Sequence, residues 1–209
     1  MSEEDLKREI CRVMTDLVGE RLTTAYGGNV SARVPEARRI WITPSGLYKG
    51  SVTPSHLVMV DLDSGVTEGR MKPSRETGMH NLLYKARVDV NAVIHCHPGF
   101  ATALGMAGRT ISPVSVEAAM LGKVPLVPYS TPGGERLAHA VSRAIGQKSN
   151  TLILQNHGIL AVGGSLESAL RRVQTLEDAA RMMFIAEQFG GTTRIGGRGV
   201  RRLLTMGGV

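Results

Sequence analysis

The sequence predicts an α/β protein, a sandwich with helices packed on one central sheet, and three observations carry that prediction. Segments with apolar residues at helical spacing alternate along the chain with short aliphatic, β-branched runs. Clusters of Gly, Pro, Asn and Asp separate them at intervals that suit turns rather than long linkers. The composition, 42% hydrophobic and 21% charged over 209 residues, is that of a folded globule. A chain of this length buries roughly 70% of its unfolded surface, so one domain with a core that needs no staple is expected.

The first element is an amphipathic helix over residues 3–21. Leu6, Ile10, Val13, Met14, Leu17 and Val18 share its apolar side, Ser2 caps it, and Glu3, Glu4 and Asp5 oppose the helix dipole. Gly27-Gly28-Asn29 breaks the pattern, and residues 30–34 and 39–43 read as the strands of a hairpin. Residues 57–62 form a strand closed by Asp63-Ser64-Gly65. Met79, Leu82, Leu83 and Ala86 restore helical spacing over 75–87, with Ser74 as the expected cap. A strand over 92–97 is stopped by Pro98, which starts a helix to about Gly105. A helix over 132–145 precedes two strands, 151–155 and 159–162, joined by Asn156-His157-Gly158. A long helix over 165–188 follows, and only residues 190–199 have linker-like composition. The expected division is a folded unit over 1–189 and a Gly/Arg-rich tail over 190–209, with no internal repeat.

Several classes of function are excluded at this stage. No apolar run reaches 18 residues, and the acidic start Met1-Ser2-Glu3-Glu4-Asp5 is unlike a signal peptide, so no membrane role is expected. Two cysteines, Cys11 and Cys96, suit a reducing compartment, and the cytoplasm is the expected location. The formal charge is +7, but Arg194, Arg198, Arg201 and Arg202 lie in the last sixteen residues with no acid among them. The body is only mildly basic, and with 4% aromatics it has little from which to build base-stacking platforms; no nucleic-acid partner is expected. The tail itself reads as a solvated end, a flap over a neighbouring subunit or an attractor of anions.

The sharpest chemical feature is Ile94-His95-Cys96-His97-Pro98 at the end of an apolar strand. Alternation puts His95 and His97 on one face, about 6 to 7 Å apart along the backbone, and turns Cys96 away. Two such imidazoles either converge on one ion or are ordinary hydrogen-bonded groups; a third ligand would decide. His157 sits in a tight turn just after a strand, where a loop carries a ligand to the same rim. Three histidines leave an open coordination position, as catalytic divalent ions require. The second feature is Ser74-Arg75-Glu76 at a helix start. There Glu76 either satisfies the helix terminus or does chemistry, and the adjacent N–H groups suit an anion. The third is a pair of small-residue loops, Gly27-Gly28-Asn29-Val30-Ser31 and Thr43-Pro44-Ser45-Gly46, which offer backbone donors to phosphate or simply turn the chain.

In this order and spacing the motifs Gly-Gly-Asn-Val-Ser, Thr-Pro-Ser-Gly, Pro-Ser-x-Glu, His-x-His-Pro and x-His-Gly resemble those of the class II aldolase and adducin-head family, closest in motif to its fuculose-phosphate aldolase branch. The resemblance runs from the first helix to about residue 188. It implies a single-domain three-layer α/β/α sandwich with a central mixed, mostly antiparallel sheet. It also implies a homotetramer with active sites at subunit interfaces. His95, His97 and His157 would hold one zinc ion per subunit, imidazoles also accepting other divalent ions. Asn29, Ser45, Gly46, Ser74 and Arg75 would surround a substrate phosphate, with Gly28 shaping the loop. Glu76 would be the catalytic acid/base, where the family's epimerase branch has Asp. The implied reaction is cleavage or formation of a carbon–carbon bond in a small ketose phosphate, through a metal-stabilised enediolate of dihydroxyacetone phosphate.

The chain departs from the aldolase pattern in three places. Val116 stands where that branch has a tyrosine, and no tyrosine follows residue 188, so the aldehyde partner is not specified. Glu117 falls where the family's methylthioribulose-phosphate dehydratase has its acid/base, although that enzyme lacks a counterpart of Glu76; alternatively Glu117 caps a helix over 117–121. Arg75 replaces a small hydroxyl residue, and its guanidinium suits a phosphate or the carboxylate of a keto sugar-acid phosphate undergoing decarboxylation. A non-catalytic adducin-like module is the rival from another class, and its mark, loss of the metal histidines, is missing. Tyr129 is expected to be structural, with its hydroxyl satisfied near the sheet rim. His80 either steadies Glu76 on the same helix face or packs.

Overall fold

A computed structural model describes residues 2–206; residues 207–209 of the basic tail lie outside the described residues. Eight strands form one sheet among them: β1 (Asn29–Arg33), β2 (Arg39–Ile42), β3 (Val58–Asp61), β4 (Thr67–Glu68), β5 (Ala92–Cys96), β6 (Leu126–Val127), β7 (Thr151–Leu154) and β8 (Gly158–Gly163). Their order is β4-β3-β2-β1-β5-β8-β7-β6. Every neighbouring pair is antiparallel except β6 with β7. The sheet is therefore mixed and mostly antiparallel, as expected.

Seven α-helices accompany the sheet among the described residues, α1 (Glu3–Gly19), α2 (Thr77–Ala86), α3 (Gly99–Met106), α4 (Val116–Met120), α5 (Glu135–Ile145), α6 (Leu166–Gln188) and α7 (Gly197–Thr205), with two short 3-10 turns at Lys49–Ser51 and Pro54–His56. The apolar sides of α1, α3 and α6 pack on one face of the sheet, and those of α2 and α5 on the other. Strand alternation sorts the side chains between these two cores. On β5, Ala92, Ile94 and Cys96 enter the first core and Val93 the second. The residues of β5, β7 and β8 are all buried, which is why they read as continuous apolar runs.

The α1 prediction holds in detail, with Ser2 and Asp5 forming a reciprocal capping box. Other expectations need correction. Helix α2 begins at Thr77, so Glu76 rather than Ser74 is the capping position. The Ser74 hydroxyl instead accepts from the Glu76 N–H at 3.3 Å. Helix α4 is capped by Ser115, which accepts from the Ala118 N–H, and Glu117 plays no such part. Tyr129 is 58% exposed, with no satisfied hydroxyl at the rim. The tail is not simply a solvated coil: α7 packs against α4, and the Ile195 N–H donates to the Pro113 carbonyl at 2.8 Å. Three glycines among residues 196–199 dilute its helical signal in the sequence.

Candidate metal centre and anion pocket

The end of β5 and the β7–β8 turn meet because β5 pairs with β8, setting Cys96 opposite Ile159. His95 is completely buried, and its Nδ1–H donates to the Ile159 carbonyl at 2.8 Å, so Nε2 is the free lone pair. His97 places Nδ1 3.5 Å from Thr23 Oγ1 and Nε2 3.0 Å from His95 Nε2. His157 is delivered by a turn in which Asn156 takes a left-handed conformation (φ 56°) and the His157 N–H bonds the Leu154 carbonyl at 3.1 Å. Gly158 is required there, since a Cβ would overlap the Cys96 carbonyl and lie 2.7 Å from the His97 ring. One ring nitrogen from each histidine falls within 4.8 Å of the others.

These residues fit a divalent cation. Burial pushes His97 down to about 3, helped by the neighbouring histidines, and lowers His157 as well, so both rings are neutral. With the His97 proton on Nδ1, toward Thr23 Oγ1, the Nε2 atoms of His95 and His97 aim two lone pairs at one point, as a shared cation requires. The orphaned atoms point the same way, because His157 Nδ1 and Glu76 Oε1 are buried without a hydrogen-bond partner. Nitrogen ligands oriented by a carbonyl behind them suit zinc and several other divalent ions.

Glu76 stands against this cluster. Its Oε2 lies 3.0 Å from His95 Nε2 and accepts from Asn29 Nδ2 at 3.0 Å, while Oε1 is 3.4 Å from His157 Nε2. Burial by itself raises the Glu76 carboxyl, but His95, His157 and the Asn29 amide outweigh it and hold the group well below the usual carboxylate range. The carboxylate is thus ionised at the start of any proton transfer.

A cavity of about 640 Å³ opens beside it. Gly28, Asn29, Ser45, Gly46, Ser74 and Arg75 all line it, together with Glu76, His97 and His157. Gly28 has φ 72°, and a Cβ would come within 2.9 Å of the His95 carbonyl, so this turn accepts no side chain. The backbone here approaches the histidine strand as closely as it can.

Sequence reasoning missed Tyr26, Lys49, Thr131 and Pro132 in this wall, and Lys49 is the charged one among them. Lys49 is only 3% exposed, lines the cavity, and donates from Nζ to the Pro44 carbonyl. Burial lowers its ammonium to about 8. A buried cation beside an exposed Arg75 makes this end of the cavity suited to anions. Glu117 is not brought to the cavity of its own chain: it is exposed on α4 and absent from the lining. His80 lies under the site, fully buried, and reaches Glu76 through Asn29 rather than directly.

Known proteins are similar to this chain in sequence and in fold. The family model for the Class II Aldolase and Adducin N-terminal domain matches residues 8–184. The chain is 33% identical over 178 residues to L-fuculose phosphate aldolase of Methanococcus maripaludis, covering 85% of this chain and 93% of that one. It is 36% identical over 172 residues to 5-methylthioribulose-1-phosphate/5-deoxyribulose-1-phosphate aldolase of Escherichia coli, covering 81% and 79%. It is 31% identical over 189 residues to 3-oxo-tetronate 4-phosphate decarboxylase of Escherichia coli, covering 88% of each. A solved L-fuculose 1-phosphate aldolase superposes with a TM-score of 0.92 at 31% identity, over 99% of this chain and 97% of that one.

Proposed function

This chain belongs to the class II aldolase and adducin family, and from that premise we propose that it is a zinc-dependent aldolase-type lyase acting on a small ketose phosphate. The observation that carries the reading is the convergence of three histidines and one carboxylate beside a small-residue, cationic pocket. His95, His97 and His157 would hold the ion, one per subunit. When bound, it supplies Lewis-acid stabilisation of negative charge developing on substrate oxygens. The rest is done by the protein. Ser45, Gly46 and Ser74 offer donors to the phosphate, with Gly28 and Asn29 on the facing wall and the cations of Arg75 and Lys49 balancing its charge. Glu76 takes a proton from dihydroxyacetone phosphate in the synthetic direction. In cleavage it returns that proton to the carbon freed when the carbon–carbon bond breaks.

A homotetramer, soluble and cytoplasmic, is part of the proposal. Exposed Phe184 of α6 and Phe100 of α3, their rings 5.7 Å apart, form the kind of apolar face a neighbouring copy would cover. A second reading, decarboxylation of a keto sugar-acid phosphate on the same site, is favoured by one observation: Arg75 lines the pocket with an exposed guanidinium, which suits a substrate carboxylate as well as a phosphate. Dehydration through Glu117 requires a neighbouring copy to bring that residue to a cavity, since its own chain does not.

Proton exchange of dihydroxyacetone phosphate in deuterium oxide, followed by NMR with the zinc-loaded protein, tests the proposal without knowledge of the aldehyde. Stereospecific exchange is expected, falling by about a hundredfold or more in Glu76→Gln while the ion stays bound. Full exchange in Glu76→Gln, or none in the unaltered protein, would sink the aldolase reading. In the latter case carboxylate-bearing substrates and Glu117→Gln become the next comparison.

A further inference from the structure

Beneath Glu76 a polar seam runs through an otherwise apolar layer. On α2 and its cap, Glu76, His80 and Tyr84 recur every four residues and so share one face. On β1, Asn29 and Ser31 alternate onto the sheet face that looks at them. The two stripes interlock. Asn29 Nδ2 lies 3.0 Å from Glu76 Oε2, and Asn29 Oδ1 lies 2.6 Å from His80 Nε2. His80 Nδ1 lies 2.7 Å from Ser31 Oγ, which is 2.8 Å from the Tyr84 hydroxyl. His80 and Ser31 are fully buried and Tyr84 is 2% exposed, so each bond is made within the protein or not at all.

The direction of every bond follows from the two ends. Asn29 turns its NH2 to Glu76, donating to Oε2, and its oxygen to His80. That oxygen needs a donor, which places the ring proton of His80 on Nε2. Burial keeps His80 neutral, lowering it to about 3, so Nδ1 is an acceptor and the Ser31 hydroxyl donates to it. Ser31 then accepts from Tyr84. Arg33 anchors the far end, donating to the Tyr84 carbonyl at 2.8 Å and lying over its ring.

We infer that Tyr84, Ser31, His80 and Asn29 form a one-way chain of hydrogen-bond donors ending on Glu76 Oε2, and that His80 is the positioning residue that holds this chain in one sense. The consequence is a division of labour within the carboxylate. Oε2 is tied down by the Asn29 amide, whereas buried Oε1 has no hydrogen-bond partner and is the oxygen that takes the proton. Reversing any link would turn an acceptor toward the carboxylate, release it from its single orientation and leave a buried polar group unpaired. The catalytic part of this inference rests on Glu76 being the base; the hydrogen-bond chain does not.

Two measurements on the zinc-loaded protein test it. Long-range proton–nitrogen NMR of histidine-labelled protein reads the His80 ring directly, with His80→Gln identifying its signals. A neutral ring protonated on Nε2 is expected; a proton on Nδ1, or on both nitrogens, overturns the chain. In the exchange reaction His80→Leu is expected to lower kcat about ten- to a hundredfold with KM and bound zinc unchanged. His80→Gln keeps a donor toward Asn29 and an acceptor toward Ser31, and is expected to recover most of that loss. Equal loss in both variants, or a loss confined to KM, overturns the positioning role. Absent exchange in the unaltered protein removes the reading of Glu76 as base and with it that role, whereas the ring proton is read independently of any substrate.

Discussion

Lys49 shows what one side chain contributes to both stability and binding. Its ammonium titrates near 8 in the folded protein against 10.5 for a free lysine, because burial disfavours the charge. Between those values the unfolded chain holds more protons than the folded one, so this residue makes stability rise with pH from about 8 to 10.5, its full penalty being felt below 8. Lys49→Met is therefore expected to raise stability by about 1–2 kcal/mol at neutral pH and to remove that rise, as denaturant melts of the two proteins across the window would show. The same substitution is expected to raise KM for dihydroxyacetone phosphate about tenfold with little change in kcat, because at pH 7 the ammonium is charged and faces the anion pocket. The ion ligands behave differently: His95→Ala or His157→Ala is expected to lose the divalent ion, counted by elemental analysis, while keeping the fold. That pair was legible in the sequence because a strand spacing of two and a tight turn leave little room for other arrangements. Lys49 was not, since a lysine in a polar loop reads as solvated until the loop is seen to fold over it.

Among the elements, α3 depends on a carboxylate from another helix. Glu177 of α6 is 6% exposed and accepts from the Phe100 and Ala101 N–H groups at 2.9 and 2.8 Å, at the helix N-terminus that directly follows His97 and Pro98. It satisfies two donors that no local side chain caps, and so fixes the strap that carries a histidine into the site. Glu177→Gln turns an amide toward one of those donors and is expected to cost about 1–3 kcal/mol of stability and to weaken ion binding. Unchanged melting and unchanged ion affinity would show that the strap holds itself. The bounds of α6 were readable from apolar spacing, but this link was not. Between Leu176 and Asp178 an acid on an amphipathic helix looks like its solvent face, and only the packing of α6 on α3 buries it. Helix α2 has the same lesson. Its spacing was plain, yet its start at Thr77 goes with Glu76 being held by Asn29 of β1 against the histidines rather than with propensity.

At the scale of the molecule, charge and apolar surface are arranged separately. The tail carries four of the seven excess positive charges, whereas two of the exposed apolar residues, Phe100 and Phe184, meet where α3 lies against α6. Phe100 and Phe184 stack there 5.7 Å apart, and Phe184 is 57% exposed, so a chain of 22.4 kDa presents a face that a neighbouring copy would bury. All three histidines and Glu76 belong to one chain, whereas the aldehyde side of the proposed reaction has no tyrosine in the expected places on that chain. Phe184→Glu is therefore expected to shift sedimentation from an assembly to a smaller species, leave ion binding intact, and lower turnover of the complete substrate more than proton exchange of dihydroxyacetone phosphate. Ion binding and exchange need only groups within the protomer, while the second half of the substrate would be met by a neighbour. An unchanged sedimentation profile would remove this face as the contact. Equal losses of turnover and exchange on dissociation would place the neighbour's contribution at the proton-transfer centre itself.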